Sequence, residues 1–274
     1  MRSLQETASG NSIGTNEVAK KRLGESERAA KAVLVESVRQ VSGSGAAIAM
    51  HDRIAISVGI EIVTGVLPEE SALPTEAEAV EIHGVSRTVY REAIRALVGK
   101  GLLSSRKKAG TRVNPRREWS LLDPEVLSWM FAAKPTRAAV HGLFELRLIV
   151  EPSAAALAAL RRTDEQVSAM REAYDDMERH GLRTAAGQEA DGKFHSVMLE
   201  ATGNDFLRAL TEPISTAIRW TTLLKFSRSR QPRDSLKLHR DLLTAIADRN
   251  SVQAHEVSML LLQQAREDTE VIIT

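Results

Sequence analysis

Two kinds of polar side chain recur at helical spacing in this chain, and each suggests a chemistry. Arg87, Arg91 and Arg95 stand four residues apart in a largely apolar run. Asp191 and His195 are also four apart, so a helix would present both on one side, within chelating distance. Guanidinium groups can pair with phosphate or guanine, and a carboxylate beside an imidazole can hold a metal ion. The two patterns point to nucleic acid binding and to metal or ligand binding.

Charge is distributed unevenly along the sequence. The segment 84–118 holds ten Lys or Arg and two Glu, a net charge of +8. The whole chain has a formal net charge of +1, so the other residues together carry −7. Solubility alone does not require such segregation, which favours a polyanionic partner; a solvated basic face is the alternative.

Composition excludes several classes of protein. The sequence has no cysteine, so disulfides and thiolate metal sites are ruled out. No apolar run approaches the ~18 residues of a membrane helix, and the N-terminus lacks the layout of a secretory signal. The 274 residues, 43% of them hydrophobic, suit one or two globular domains. We expect a soluble cytoplasmic protein with no membrane partner.

The elements that must position these side chains follow a polar extension. Residues 1–49 are predicted to be disordered, apart from a potential helix at 17–41; a translation start at Met50 is the alternative. The segment 50–114 then carries three predicted helices and a hairpin, at 52–66, 75–83, 86–100 and 102–114.

Local signals define these elements. Thr75 and Glu78 have the spacing of a capping box, and Gly84 would end that helix. Ser86 is the predicted N-cap of the third helix, and Gly110 lies at the tip of the hairpin. Three short helices and a glycine-tipped hairpin predict a winged helix-turn-helix domain, whose third helix fits the major groove of DNA.

The third helix would have a buried stripe of Tyr90, Ile94 and Leu97, with the arginines facing away. The helix and the wing would then contact the bases and phosphates of DNA. The residues predicted to bind DNA are Ser86, Arg87, Thr88, Arg91, Arg95, Lys107, Lys108, Gly110 and Arg112.

The C-terminal part, residues 119–274, is predicted to be an all-helical domain, so the fold class is mainly α. Asp123 and Pro124 begin one helix as N-cap and first helical residue. Further helices are predicted at 136–160, 164–181, 184–201, 204–226, 233–248 and 251–272.

The stretch from Leu73-Pro74 through Ser86-Arg87-x-x-x-Arg91-Glu92-Ala93 to Gly101-Leu102-Leu103 resembles the DNA-binding domain of the GntR family of bacterial transcription regulators. The resemblance implies that Arg87 and Arg91 contact operator DNA. Ala77 stands where some relatives have an arginine, so operator preference is expected to differ.

The C-terminal half is similar to the FCD ligand-binding domain of the FadR-like GntR subfamily. The similarity is carried by FELRLIVEPSAAALAA, DGKFHSVMLEATGND and LKLHRDLLTAIADRN, at 144–159, 191–205 and 236–250. The stretch 117–131 is similar to galactonate-operon repressors of that subfamily. These similarities imply a bundle that binds a small effector.

Asp191, His195 and His239 are the candidate metal ligands, and an oxygen with two imidazoles suits Zn, Ni or Mn. Many FCD domains supply a further histidine about 22 residues beyond the position of His239, where this chain has Leu261. Three ligands with open positions would be chemically sufficient. The alternatives are hydrogen bonds from Asp191 and His195 to a ligand hydroxyl, or a structural or solvent-facing pair.

Arg147 lies in an otherwise apolar part of its predicted helix and needs a partner there. It would either form a buried salt bridge, with Glu145, Glu151 or Asp191, or bind the carboxylate of an effector. Arg219 is a second candidate with the same two interpretations. The candidate effector-binding residues are Arg147, Asp191, His195, Arg219 and His239.

The sequence thus predicts a homodimeric, sequence-specific transcription regulator that is not an enzyme. By resemblance it would be a repressor released from operator DNA by a small carboxylate, such as a sugar acid or its catabolite. A metal-dependent hydrolase using Asp191, His195 and His239 is one rival, although no recognisable nucleophile or general base accompanies the three. An architectural DNA-binding protein without an effector is the other.

Overall fold

The computed structural model describes residues 49–106, 110–133, 135–228 and 233–273. Residues 1–48 of the predicted extension 1–49, with its helix at 17–41, lie outside the described residues, as do Lys107, Lys108 and Ala109.

The first domain is built from three helices and a two-stranded wing. Its elements are α1 (Met50–Val63), α2 (Glu76–His83), α3 (Arg87–Gly99), β1 (Leu103–Arg106) and β2 (Gly110–Val113). The strands pair antiparallel, with Leu103 opposite Val113, and Ala72 adds an isolated bridge to Arg112. This arrangement confirms the predicted winged helix-turn-helix.

Capping determines where α2 and α3 begin. The Thr75 hydroxyl and the Glu78 carboxylate form the predicted capping box, and Gly84 ends α2 with a φ of 63°. The Ser86 side chain accepts a hydrogen bond from the Val89 N–H at the start of α3. The first helix differs from its prediction, beginning at Met50 and ending three residues earlier, at Val63.

The second domain is a helical bundle. Its helices are α4 (Pro124–Ala132), α5 (Arg137–Arg161), α6 (Asp164–His180), α7 (Ala185–Glu200), α8 (Asp205–Arg208), α9 (Thr211–Arg228), α10 (Leu236–Ala247) and α11 (Ser251–Ile273). α5 packs along α11, and α7 packs against both α6 and α9. Phe194, Met198, Met170 and Leu242 lie in the core between α6, α7 and α10.

The helix predicted at 204–226 is two helices, α8 and α9. Asn204 caps α8 by accepting the Phe206 N–H at 2.9 Å. A continuous helix would place the ring of Pro213 against the carbonyl four residues earlier, and Pro213 has no N–H to donate. The chain therefore ends α8 at Arg208 and begins again at Thr211.

Helix α4 joins the two domains by contributing side chains to both cores. Val126 and Trp129 pack in the winged domain, whereas Leu127 and Phe131 pack with Trp220 and other residues of α5 and α9. The Asp123 side chain caps α4 as predicted, accepting the N–H groups of Glu125 and Val126. A helix with two buried faces fixes the winged domain, and α3 with it, relative to the bundle.

Candidate DNA-binding surface and effector site

Helix α3 presents one apolar and one basic face. Tyr90, Ile94 and Leu97 are buried, as predicted. The side chains of Arg87, Arg91 and Arg95 are 72%, 62% and 74% exposed. These arginines therefore lie on a surface that a DNA duplex can approach.

Two carboxylates accompany the basic stripe. Arg91 donates through Nε to Glu76 Oε2 at 2.8 Å, and Arg87 Nε lies 3.9 Å from the other oxygen, Glu76 Oε1. Arg95 pairs with Glu92 on its own helix, 2.6 Å away. The exposed stripe is therefore cationic but not uniformly so, and one carboxylate from α2 faces two of its arginines.

The wing brings further polar groups to the same domain. Arg112 is exposed and donates to the Glu70 carbonyl at 2.9 Å, which orients its guanidinium. Gly110 has a φ of 78°, a conformation that favours glycine, at the start of β2. Ser86 and Thr88 are exposed at the N-terminus of α3. Lys107 and Lys108 belong to the part of the wing outside the described residues.

In the bundle, α7 and α10 bring the three candidate metal ligands together. Asp191 and His195 lie one turn apart on α7, and His239 faces them from α10. Asp191 Oδ1 lies 3.0 Å from His239 Nε2 and 3.6 Å from His195 Nε2. All three side chains are at most 7% exposed. The three residues come together in the bundle as the sequence predicts, whereas the binding of an ion stays a prediction.

Neighbouring groups orient both imidazoles. His239 Nδ1 lies 2.9 Å from the Ser235 carbonyl, which can only accept, so Nδ1 is the donor to that carbonyl and Nε2 is directed at Asp191 Oδ1. His195 Nδ1 lies 2.9 Å from Glu151 Oε2, which likewise leaves Nε2 on the side of Asp191. The Phe194 ring contacts both imidazoles edge-on. Such partners typically fix the orientation of metal-binding histidines.

The electrostatics of the group favour ionised carboxylates. Burial alone would raise the pKa of Glu151, but the adjacent Arg147 guanidinium and His195 together lower it to about 2. Burial likewise opposes ionisation of Asp191, yet His239, His195 and Arg147 lower its pKa overall. Both side chains are therefore charged at neutral pH despite being removed from water.

Two of the three side chains present a buried, unpaired atom that could bind a metal ion. Within the described ranges, Asp191 Oδ1 and His239 Nε2 are buried and have no aligned hydrogen-bond partner. Their separations of 3.0 and 3.6 Å suit ligands that share an ion at bonds of about 2.0–2.2 Å. Leu261 occupies the region of the expected fourth histidine and is 5% exposed, while His255 is exposed. Among the described residues, the group that could hold an ion here is therefore Asp191, His195 and His239.

A small cavity of about 40 Å³ adjoins these ligands. Arg147 and Lys225 bring cationic side chains to its wall, and Thr221 brings a hydroxyl. Lys225 donates to the Arg233 carbonyl at 2.7 Å and lies 2.9 Å from Asp268. The cavity has room for roughly one or two water molecules.

The two candidate arginines lie in different places. Arg147 is 4% exposed and donates to Glu151 at 2.7 Å, so the salt bridge weighed from sequence is formed with the partner one turn later on α5. Arg147 also lines the cavity beside Asp191 and His195. Arg219 instead lines a second, larger cavity between α6, α7 and α9. The structure therefore does not bring it together with the other four candidate effector-binding residues.

Sequence reasoning missed several residues of this site. Glu151 was considered only as a partner for Arg147, yet it also contacts His195. Lys225 and Ser235 were not singled out. The spacing of Arg147 and Glu151 was a usable signal, because residues four apart share a helix face. The contact with His195 depends on how α5 packs against α7, for which no local pattern exists.

Comparisons with known proteins agree with this architecture. The profile of the gntR family of bacterial regulatory proteins matches residues 51–113, and that of the FCD domain matches residues 142–264. The chain is 30% identical over 213 residues to the galactonate operon transcriptional repressor of Escherichia coli K12, an alignment that spans 77% of this chain and 93% of the relative. It is 34% identical over 137 residues to the Uxu operon transcriptional regulator of the same strain, spanning 49% and 51%.

A solved structure shows the same fold. That structure is described as Lar, which controls expression of the Listeria monocytogenes agr system. It aligns with this chain with a TM-score of 0.60 at 16% sequence identity. The alignment spans 82% of this chain and 98% of that one.

A winged helix-turn-helix domain followed by a helical FCD domain defines the class of DNA-binding transcription regulators, not a class of enzymes. More specifically, the chain belongs to the GntR family and carries the FCD domain of its FadR-like subfamily. No helix in the described segments is long and apolar enough to span a membrane.

Proposed function

We propose that this regulator represses a sugar-acid operon and releases its operator when a small carboxylate binds inside the helical domain. The observation that carries the proposal is the cavity where Asp191, His195 and His239 meet the cationic side chains of Arg147 and Lys225. Two relatives, named for the galactonate and Uxu operons, support this class of effector.

The DNA-binding step would use the basic face of α3 and the wing. Arg87 and Arg91 would contact base edges, since guanidinium groups can pair with guanine. Ser86, Thr88, Arg95, Arg112 and the backbone at Gly110 would contact phosphates, together with Lys107 and Lys108. A symmetric dimer would read two half-sites about one helical turn apart.

Gel retardation with DNA selected from a randomised duplex library tests this assignment. Arg87→Ala should weaken binding about tenfold or more, because a specific arginine contact is worth about 1–3 kcal/mol. Arg171→Ala on α6, which removes the same charge from the other domain, is the matched control and should have little effect. Equal affinity of Arg87→Ala and the unmodified protein would refute the role of α3.

Light scattering of the free protein tests the dimer: a mass near 60 kDa is expected for two 30.0 kDa chains.

A divalent ion, Zn, Ni or Mn, would be held by Asp191, His195 and His239. Bound there, the ion would supply positive charge and open coordination positions to an anionic ligand. Glu151 and the Ser235 carbonyl would orient the histidines in the way their present contacts show. The chain's own contribution is therefore to hold both imidazoles with Nε2 toward Asp191.

Metal content of protein purified without chelator tests this part. His239→Ala should lose the ion, whereas His255→Ala, an exposed histidine on α11, should retain it. Leu261→His should tighten binding, because its side chain would restore the expected fourth ligand. A dialysed protein that takes up none of the three ions at micromolar concentration would remove the metal from the proposal.

The effector must differ in affinity between the two states of the protein, or it could not regulate. The cavity, at about 40 Å³, is smaller than a sugar acid, so binding requires α9 or α11, which line it, to move outward. α9 also packs on α4, and the other face of α4 packs in the core of the winged domain. Expansion of the cavity would therefore shift the helix that joins the two domains.

Thermal shift across a panel of sugar acids, uronic acids and short hydroxy acids tests the effector class. At least one carboxylate should stabilise the protein and release DNA in the same concentration range. Thr221→Val, in the cavity wall, should weaken that response, whereas Ser196→Ala, in the second cavity, should not. Sequence-specific DNA binding with no response to any panel member would favour an architectural protein instead.

A further inference from the structure

The carboxylate of Glu76 occupies an unusual position for a DNA-binding surface. It is the one acidic group that faces two arginines of the α3 stripe among the described residues, with one oxygen near each. Its side chain is 30% exposed, at the first residue of α2. A carboxylate there repels DNA phosphates, so its presence lowers affinity for DNA in general.

The contact between Glu76 and Arg91 uses only one edge of the guanidinium. The Nε–H of Arg91 donates to Glu76 Oε2 at 2.8 Å. In the described part of the chain, no hydrogen bond occupies the two terminal amino groups of Arg91. Those two groups form the edge that can donate in parallel to O6 and N7 of guanine.

Fixing Nε also removes rotational freedom from a long side chain. A free arginine 62% exposed would lose that freedom on binding a base, whereas one already held through Nε loses less. Arg87, with its Nε 3.9 Å from Glu76 Oε1, is restrained more weakly by the same carboxylate. The pair on α3 is therefore oriented from α2 and not from within its own helix.

We infer that Glu76 is a specificity-determining positioning residue, which aims Arg91 at a guanine in each operator half-site while suppressing binding to unrelated DNA. The inference rests on the proposed placement of α3 in the major groove. Its distinctive consequence concerns base preference: Glu76 improves discrimination at a guanine at the expense of overall affinity.

The experiment selects duplexes from a randomised library with the full chain and then measures affinity for the enriched site and for variants of its guanines. For the unmodified protein, replacing the critical guanine should weaken binding about tenfold or more. In Glu76→Gln that penalty should shrink by at least about threefold, and affinity for a scrambled duplex in dilute salt should rise about two- to fivefold. Glu81→Gln removes the same charge from the exposed far end of α2 and should keep the original penalty.

A second variant separates positioning from a structural effect. Arg91→Lys keeps the charge but lacks the planar fork, so it should relax preference at the same guanine. Combining it with Glu76→Gln should cause no further relaxation, because both changes remove one interaction. Additive losses, or an unchanged guanine penalty in Glu76→Gln, would overturn the inference while leaving the proposed function intact. Failure of the unmodified protein to enrich any sequence would overturn both.

Discussion

The molecule contains two arginine–glutamate pairs of nearly equal length in opposite surroundings. Arg91 and Glu76 are 2.8 Å apart on the DNA-binding surface, with side chains 62% and 30% exposed. Arg147 and Glu151 are 2.7 Å apart inside the bundle, with side chains 5% and 0% exposed. Distance alone therefore says little about what an ion pair does.

Water decides the difference between these pairs. An exposed pair contributes about 0–1 kcal/mol, because water and salt compete for both partners. It can therefore rearrange when DNA supplies new partners. A buried pair has no such substitute, so removing one member leaves the other charged and desolvated. The exposed pair suits recognition, and the buried pair suits a fixed scaffold around a ligand site.

The largest effect is expected from breaking the buried pair. Glu151→Ala should lower the free energy of unfolding by about 3–5 kcal/mol, because Arg147 and His195 both lose their carboxylate. Glu76→Ala should cost no more than about 1 kcal/mol. Urea unfolding followed by circular dichroism measures both. Comparable losses for the two variants would contradict the contrast between the environments.

Acid should reveal the same contrast. The pKa of Glu151 is lowered from 4.5 to about 2 in the folded protein, so the unfolded chain binds a proton first as pH falls. Its stabilising contribution, about 3 kcal/mol, is complete above about pH 5 and is lost progressively toward pH 2. Asp191, whose pKa is also lowered, adds to the same trend. Unfolding free energies between pH 3 and pH 7 should fall with acid, and less steeply in Glu151→Gln.

Local signals predicted much of the fold. Thr75 with Glu78, Ser86, Asp123 and Gly84 each mark a helix boundary through a short-range hydrogen bond or a left-handed residue, and the structure has all of them. Such interactions span only a few residues, so sequence spacing contains them. The amphipathic stripe of α3 was equally readable, because its period follows from helix geometry.

The site was less predictable because it depends on packing between distant helices. Asp191 and His195 share a helix, so their proximity followed from spacing, but the contact of Glu151 with His195 joins α5 to α7. Arg219 was grouped with Arg147 on residue type, yet the two line different cavities. Spacing reveals which residues share a helix face and not which faces meet.

A smaller loss of stability is expected from disturbing the packing of α4, the helix that links the two domains. Gly59 on α1 packs against Trp129 of α4, and an added Cβ would lie 2.4 Å from Trp129 Cε3. Trp129 is fully buried and cannot move aside, so Gly59→Ala should lower the free energy of unfolding by about 1–3 kcal/mol. Gly142→Ala, where a Cβ would meet nothing within 4 Å, is the control and should be neutral or slightly stabilising. Denaturation midpoints check both, and a stabilised Gly59→Ala protein would show that the two domains are not tightly packed here.

The smallest effect tests whether the two regions unfold together. Each domain has a capping box that uses threonine: Thr75 with Glu78 in the winged domain, and Thr163 with Gln166 in the bundle. Thr75→Ala and Thr163→Ala should each cost about 1 kcal/mol, since each frees backbone donors at a helix start. Because α4 contributes to both cores, we expect each variant to shift a single common thermal transition. Two separable transitions, each sensitive to only one variant, would mean that α4 does not couple the domains energetically, and that an effector signal must reach the DNA-binding surface by another route.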